Sequence, residues 1–159
     1  MRRREFLSSF ARPFAKKEPR PIRPPYCKDE ADFEKCSGCE AKPCEAACAA
    51  EEGVIVIASD GTPVLDFSES GCTYCDACAI ACEEGVLDTA YRSTLPPPKI
   101  DPLACMAWHH TICSSCRDAC DKNAIIFEGL FRPHIADGCD GCGFCIGVCP
   151  SAAIGFEGV

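Results

Sequence analysis

Hydrophobic positions along this chain of 159 residues fall in short runs punctuated by turn-forming residues. Val54-Ile55-Val56-Ile57 is followed by Asp60-Gly61 and then by Val64-Leu65-Asp66-Phe67, which predicts a short hairpin. Ala124 to Phe127, a break at Glu128-Gly129, and Phe131 to Ile135 repeat the arrangement. Val86-Leu87 and Ala153-Ile154-Gly155-Phe156 read as two further closing strands. Apolar runs rarely exceed four residues, so these elements offer little surface for an ordinary core. No run of 18 apolar residues occurs, and no membrane span is predicted.

What lies between the runs is cysteine, 17 in all. Sixteen fall into four quartets, each ending in a Cys-x3-Cys step: Cys36, Cys39, Cys44, Cys48; Cys72, Cys75, Cys78, Cys82; Cys105, Cys113, Cys116, Cys120; and Cys139, Cys142, Cys145, Cys149. Only Cys27 is left over. The second and fourth quartets have the x2, x2, x3 spacing of a bacterial ferredoxin run for a 4Fe-4S cluster, and Pro150 completes the fourth. The first is longer by two residues and the third by five, with the final step unchanged.

So much cysteine admits two other readings. A disulfide scaffold is opposed by the odd count, by the lack of a secretory apolar region, and by spacings so short that bridges would close only small strained loops. Structural zinc takes close pairs from segments about 12–20 residues apart, whereas here all four thiols of a set arrive in one burst. Iron–sulfur ligation is the expectation that fits both the number and the grouping.

Quartet, hairpin, quartet and short strand occur twice in order, an internal duplication. The fold expected is α+β: two tandem two-cluster ferredoxin units, short helices and small antiparallel hairpins around four 4Fe-4S clusters, with at least three if one irregular quartet stays empty. Residues 26–98 would form the first unit and 99–159 the second, after a basic proline-rich arm over residues 1–25. In a two-cluster ferredoxin the last cysteine of each run ligates the other cluster, and it is expected here to open a helix. That layout assigns Cys36, Cys39, Cys44 and Cys82 to one cluster and Cys72, Cys75, Cys78 and Cys48 to a second. Cys105, Cys113, Cys116 and Cys149 would hold a third, and Cys139, Cys142, Cys145 and Cys120 a fourth. A rival pairing, first quartet with fourth and second with third, stays open. With clusters standing in for a core, the chain without iron is expected to be largely unfolded.

Charge divides the chain as sharply as cysteine does. The first 25 residues hold eight Lys or Arg against two Glu, a net of +6, while the remainder has a net of −14. Within this arm Arg3-Arg4-Glu5-Phe6-Leu7 resembles the core of a twin-arginine export signal, but Ser8 to Lys17 lacks the apolar stretch and cleavage site that export requires. An amphipathic partner-binding segment through Phe6, Leu7, Phe10 and Phe14, or an unstructured tail, are the readings preferred over export.

Several smaller features bear on cluster chemistry. Gly38, Gly141, Gly143, Ser37, Ser114 and Ser115 lie between ligands, where small side chains let backbone N–H groups approach sulfur, although turn sterics alone would also select the glycines. His109 and His110 are expected to be loop residues, Trp108 a lid over a cluster, and Cys27 a free thiol, a repair ligand or merely an exposed cysteine. Dinucleotide-binding, Walker and nucleophile-elbow motifs are lacking, so no substrate-converting enzyme and no nucleic-acid partner is expected.

The arginine pair of the arm, Ile22-Arg23-Pro24-Pro25-Tyr26, the long Cys105-to-Cys113 step, Ala124-Ile125-Ile126-Phe127 and Cys139-Asp140-Gly141-Cys142-Gly143 together resemble one family. It is NapF, the ferredoxin-type accessory proteins of the periplasmic nitrate reductase system. The resemblance covers nearly the whole chain and implies a cytoplasmic iron–sulfur protein. Its implied partner is the precursor of the nitrate reductase catalytic subunit, on which it would act before export. Lys42 and Pro43, inside the lengthened first quartet, depart from the family's pattern. The alternatives are an electron-wiring subunit of a larger membrane-associated oxidoreductase and an iron–sulfur cluster donor.

Overall fold

The structure, a computed structural model, describes residues 21–156. Most of the basic arm, including the arginine pair, lies outside the described residues. The architecture is small α+β, with short helices and antiparallel two-stranded ladders.

Both predicted hairpins are present. β1 (Ile55–Ile57) pairs with β2 (Pro63–Leu65), Ile55 opposite Leu65. Their turn closes because Gly61 adopts a φ of 80° and Asp60 accepts hydrogen bonds from the Thr62 amide and hydroxyl. In the second half β4 (Ile125–Glu128) pairs with β5 (Phe131–Ile135), with an irregularity at Phe127/Glu128 where Gly129 turns at a φ of 68°.

The third ladder joins segments that flank the second half: β3 (Lys99–Ile100) pairs with β6 (Ile154–Gly155). Val86-Leu87 forms no such strand. Its counterpart of that ladder is a single bridge between Leu87 and Cys27. Each half therefore ties the segment before its first quartet to the segment after its second, fully in one case and by one rung in the other.

Four short helices carry the Cys-x3-Cys steps: α1 (Pro43–Ala49), α2 (Ala77–Ile80), α3 (Ser115–Asp118) and α4 (Phe144–Gly147). α1 lies against α2, and α3 against α4. Here one expectation is corrected. The last cysteine does not open a helix; in the second, third and fourth quartets it follows the helix end, and in α1 it lies in the last turn. A step of four residues is about one helical turn, so the helix forms between the two cysteines and the third opens it.

Two buried groups hold the chain together. The larger gathers Tyr26, Phe33, Val54, Ile55, Leu65, Phe67, Val86, Leu87 and Leu95, and takes in Ile146 and Phe156 from the far end of the chain. The smaller centres on Ile125 and Ile154. Residues 22–25, the end of the proline-rich arm, lie against the body. The Ile22 carbonyl accepts from Leu65 N–H at 2.8 Å, and the Arg23 guanidinium sits 4.6 Å from the Phe33 ring centroid.

Candidate metal centres

The sixteen quartet cysteines line four separate cavities. Cys36, Cys39, Cys44 and Cys82 surround one together with Lys42, Pro43 and Leu87. Cys48, Cys72, Cys75 and Cys78 surround a second. Cys120, Cys139, Cys142 and Cys145 line a third, and Cys105, Cys113, Cys116 and Cys149 a fourth. In each cavity three thiols come from one quartet and the fourth from its neighbour in the same half. Cys27 lines none of them; its thiol donates to the Asp29 carbonyl at 2.8 Å.

Local backbone geometry explains how the cysteines reach these positions. The residue preceding α1, α2 and α4 is left-handed in each case, Lys42 at a φ of 45°, Asp76 at 64° and Gly143 at 84°. The chain thus turns sharply out of the ligand loop into the helix. After each last cysteine a second left-handed residue follows: Gly53, Gly85, Asn123 and Ala152. Each of these donates its N–H to the carbonyl of the preceding quartet's last cysteine, at 2.8, 3.4, 2.9 and 3.1 Å. The reversal aims later amides back at sulfur. Leu87 N–H reaches Cys82 Sγ at 3.4 Å, Ala124 N–H reaches Cys120 Sγ at 3.3 Å, and Ala153 N–H reaches Cys149 Sγ at 3.3 Å.

The electrostatics suit a cationic occupant. Burial pushes the thiols of Cys78 and Cys145 up to about 12, and neighbouring thiolates of the same set add to the effect. Cys116 and Cys142 are raised to about 11, again chiefly by burial. Cys44 is raised by burial, and then by Cys82, Cys36 and Cys39 around it. Positive charge placed among these buried thiols would favour their ionised form. One zinc ion would need its four sulfurs at Zn–S distances of about 2.3 Å. Among the described residues no group of three or more His, Cys, Asp or Glu converges on a single-ion site. The four sets of soft thiolates suit iron–sulfur ligation.

The predicted tuning residues divide. Gly141 donates its N–H to Cys139 Sγ at 3.4 Å, and Ser115 Oγ lies 4.0 Å from Cys113 Sγ. Gly143 is held open for packing, since a Cβ there would collide with the Phe67 ring. Gly38 has open space around it, Ser37 Oγ donates to the Glu34 carbonyl, and Ser114 Oγ donates to Asp118. Trp108 lines none of the four cysteine cavities but shares a groove with Cys139. Its Nε1 donates to the Pro133 carbonyl at 3.3 Å, and its ring borders that groove, which Pro97 and Pro98 also line. His109 and His110 are loop residues, the first bonded to the Leu103 carbonyl at 2.9 Å and the second against Phe131.

Three residues near the sets escaped sequence reasoning. Ser151 Oγ lies 3.8 Å from Cys149 Sγ, its only sequence signal being a hydroxyl two positions after a ligand. Tyr74, between Cys72 and Cys75, donates to the Asp140 carbonyl and accepts from Leu95 N–H at 3.0 Å. Gly71 has no room for a Cβ, which would lie 2.6 Å from the Phe144 ring.

No family model and no solved structure matches the chain. Curated relatives do. Ferredoxin-type protein NapF of Escherichia coli (strain K12) is 34% identical over 142 residues, 86% of this chain and 84% of that protein. Ferredoxin-type protein NapF of Haemophilus influenzae is 34% identical over 141 residues, 84% of this chain and 77% of the relative. At that identity and coverage the chain belongs to the NapF family of ferredoxin-type proteins.

Proposed function

We propose that this chain is an iron–sulfur electron carrier in which each four-cysteine set holds one 4Fe-4S cluster, two in residues 26–98 and two in 99–159. The observation that carries the reading is the partition of sixteen cysteines into four cavities, each with three thiols of one quartet and one of its neighbour. The chemistry such a group supplies when bound is reversible one-electron transfer with little change of shape. The protein's part is to ligate iron through thiolates and exclude water by burial. Its backbone N–H donors at Cys82, Cys120, Cys139 and Cys149 offset charge on sulfur.

The relatives' name, ferredoxin-type protein, supports the electron-transfer class. The proposed role is cytoplasmic and precedes export of the nitrate reductase catalytic subunit, whose precursor is the partner. No helix among the described residues is long and apolar enough to cross a membrane.

Anaerobic iron and acid-labile sulfide analysis with electron paramagnetic resonance of the reduced protein tests the cofactor. About 16 irons per chain are expected for four cubes. Iron-free protein with native folding, or zinc in its place, would end the reading. The partner is tested by co-purification with the unexported precursor, where absence of binding at micromolar concentrations rejects the maturation role.

A further inference from the structure

Within each half, two cysteine sets share two helices. α1 carries Cys44 for one set and Cys48 for the other, and α2 with the residues just after it carries Cys78 and Cys82 in the same way. α3 and α4 do the same for Cys116, Cys120, Cys145 and Cys149. Between the halves the arrangement is different. Cys72 N–H donates to the Cys142 carbonyl at 2.7 Å, which places ligand residues of two sets in direct backbone contact.

The same two loops supply the surrounding contacts. The Tyr74 hydroxyl donates to the Asp140 carbonyl and accepts from Leu95 N–H. A Cβ on Gly71 would meet Phe144 and the Cys142 carbonyl; one on Gly141 would meet Leu95 and Pro96; one on Gly147 would meet the Ser68 carbonyl. The rings of Phe67 and Phe156 lie 5.1 Å apart across the same boundary. Apart from the Tyr74–Leu95 bond, these contacts fall between residues 67–74 or 95–96 and residues 140–147 or 156, beside the Cys72 and Cys139 sets.

We infer that the four sets form one unbranched series, Cys36 set, Cys72 set, Cys139 set, Cys105 set, crossed between halves at the Cys72–Cys142 contact, which Tyr74 braces as a positioning residue. This rests on the cluster reading above. The two regular quartets are inner and the two irregular ones are the ends. Along the series one electron moves at a time: iron in the donor set is oxidised by one equivalent and iron in the acceptor set is reduced by one, with no bond broken and no proton required. The electron originates from an external one-electron reductant, dithionite in the test.

The experiment uses the full chain loaded anaerobically, with iron and sulfide measured before spectroscopy. Absence of iron–sulfur content would reject the cluster reading itself, separately from the series. The paired variant Cys39→Ala with Cys113→Ala leaves the inner sets, and Cys75→Ala with Cys139→Ala leaves the ends. Each is expected to hold about 8 irons. On full reduction the first pair should keep spectra broadened by spin–spin coupling, and the second should give two narrow uncoupled signals. Coupled ends, or uncoupled inner sets, would overturn the series. Should the paired variants fail to load, Tyr74→Ala keeps every ligand: it should retain about 16 irons and lose part of the inter-half broadening. An unchanged lineshape at full iron content would overturn the crossing.

Discussion

The regular and irregular quartets occupy different surroundings, and their loops follow suit. Around Cys72 and Cys139 the ligand loops are packed against the opposite half, with Gly71, Gly141 and Gly143 at points where no Cβ fits. An inserted residue there would have to displace the other half. The first and third quartets have room for their additions. Lys42 and Pro43 turn the first loop into α1, with Lys42 Nζ donating to the Cys36 and Gly61 carbonyls. The third loop spends its extra residues on a 3-10 turn, Met106–His109, with exposed Leu103 and Ile112 on either side. Loop length is thus constrained by what a loop packs against, and the cysteine chemistry tolerates either form.

The most severe way to test this contrast is to take the metal away. On the proposed reading each of the four sets is held together by a cluster, so removal of iron with an anaerobic chelator is expected to abolish cooperative unfolding of the whole chain. Circular dichroism against denaturant measures it. If the junction is a self-sufficient core, protection of amides near Phe67 and Ile146 would survive chelation, and the contrast would then be one of stability as well as spacing.

Adding a single methyl group compares the regions more gently. Gly143→Ala puts a Cβ on a residue with a φ of 84° and into the Phe67 ring. Left-handed strain of about 1–2 kcal/mol and overpacking of about 1–3 kcal/mol predict a total loss of about 2–5 kcal/mol in the loaded protein. Gly38→Ala, in the first quartet with open space around it, should stay within about 0.5 kcal/mol of the parent. Chemical denaturation of both variants decides; equal losses would show that the irregular loop is as tightly constrained as the regular one.

Much of this was legible along the chain, and the exceptions share a cause. Hairpins are local, so Asp60-Gly61 and Glu128-Gly129 marked both turns, and β5 covers Phe131–Ile135 as expected. Which thiols face one cavity followed from the repeat, since a set draws only on adjacent quartets of one half. The junction was invisible because it joins residues far apart in sequence, Tyr74 with Asp140 across 66 positions. Nothing in Trp108's neighbours revealed that its indole bonds to the Pro133 carbonyl beside a groove that Cys139 shares. Left-handed Ala152 carried no signal either, because alanine does not advertise a positive φ of 48° as glycine would. Ala152→Gly should accordingly stabilise the loaded third site by about 1 kcal/mol, read from the same denaturation curves.

Charge at the first site offers a smaller effect. Lys42 lies in that cavity's wall, and its ammonium lowers the Cys36 thiol against the larger upward push of burial. A cation beside a group that gains negative charge on reduction favours the reduced form. Lys42→Met should therefore move the first site's potential to more negative values, on the order of tens of millivolts for partly exposed charges. Anaerobic redox titration followed by paramagnetic resonance reads it, with the inner sites as internal reference. A uniform shift of all four would mean that Lys42 acts through the fold and not on the end site.

The smallest expected effect separates a hydroxyl that touches sulfur from one that does not. Ser151 Oγ is 3.8 Å from Cys149 Sγ, and either atom is able to donate while the thiol keeps its proton. Once Cys149 ligates iron as a thiolate, only the serine has a proton to give, so the contact becomes a weak O–H donor to a charged sulfur. Ser151→Ala removes that donor and should shift the third site to more negative potential by on the order of ten millivolts, with iron content unchanged. Ser37→Ala is the matched control at the first site, since Ser37 Oγ is committed to the Glu34 carbonyl at 2.8 Å. A shift at Ser37 equal to that at Ser151 would mean that the potentials answer to loop stiffness, and the two irregular ends would then be tuned by one mechanism instead of two.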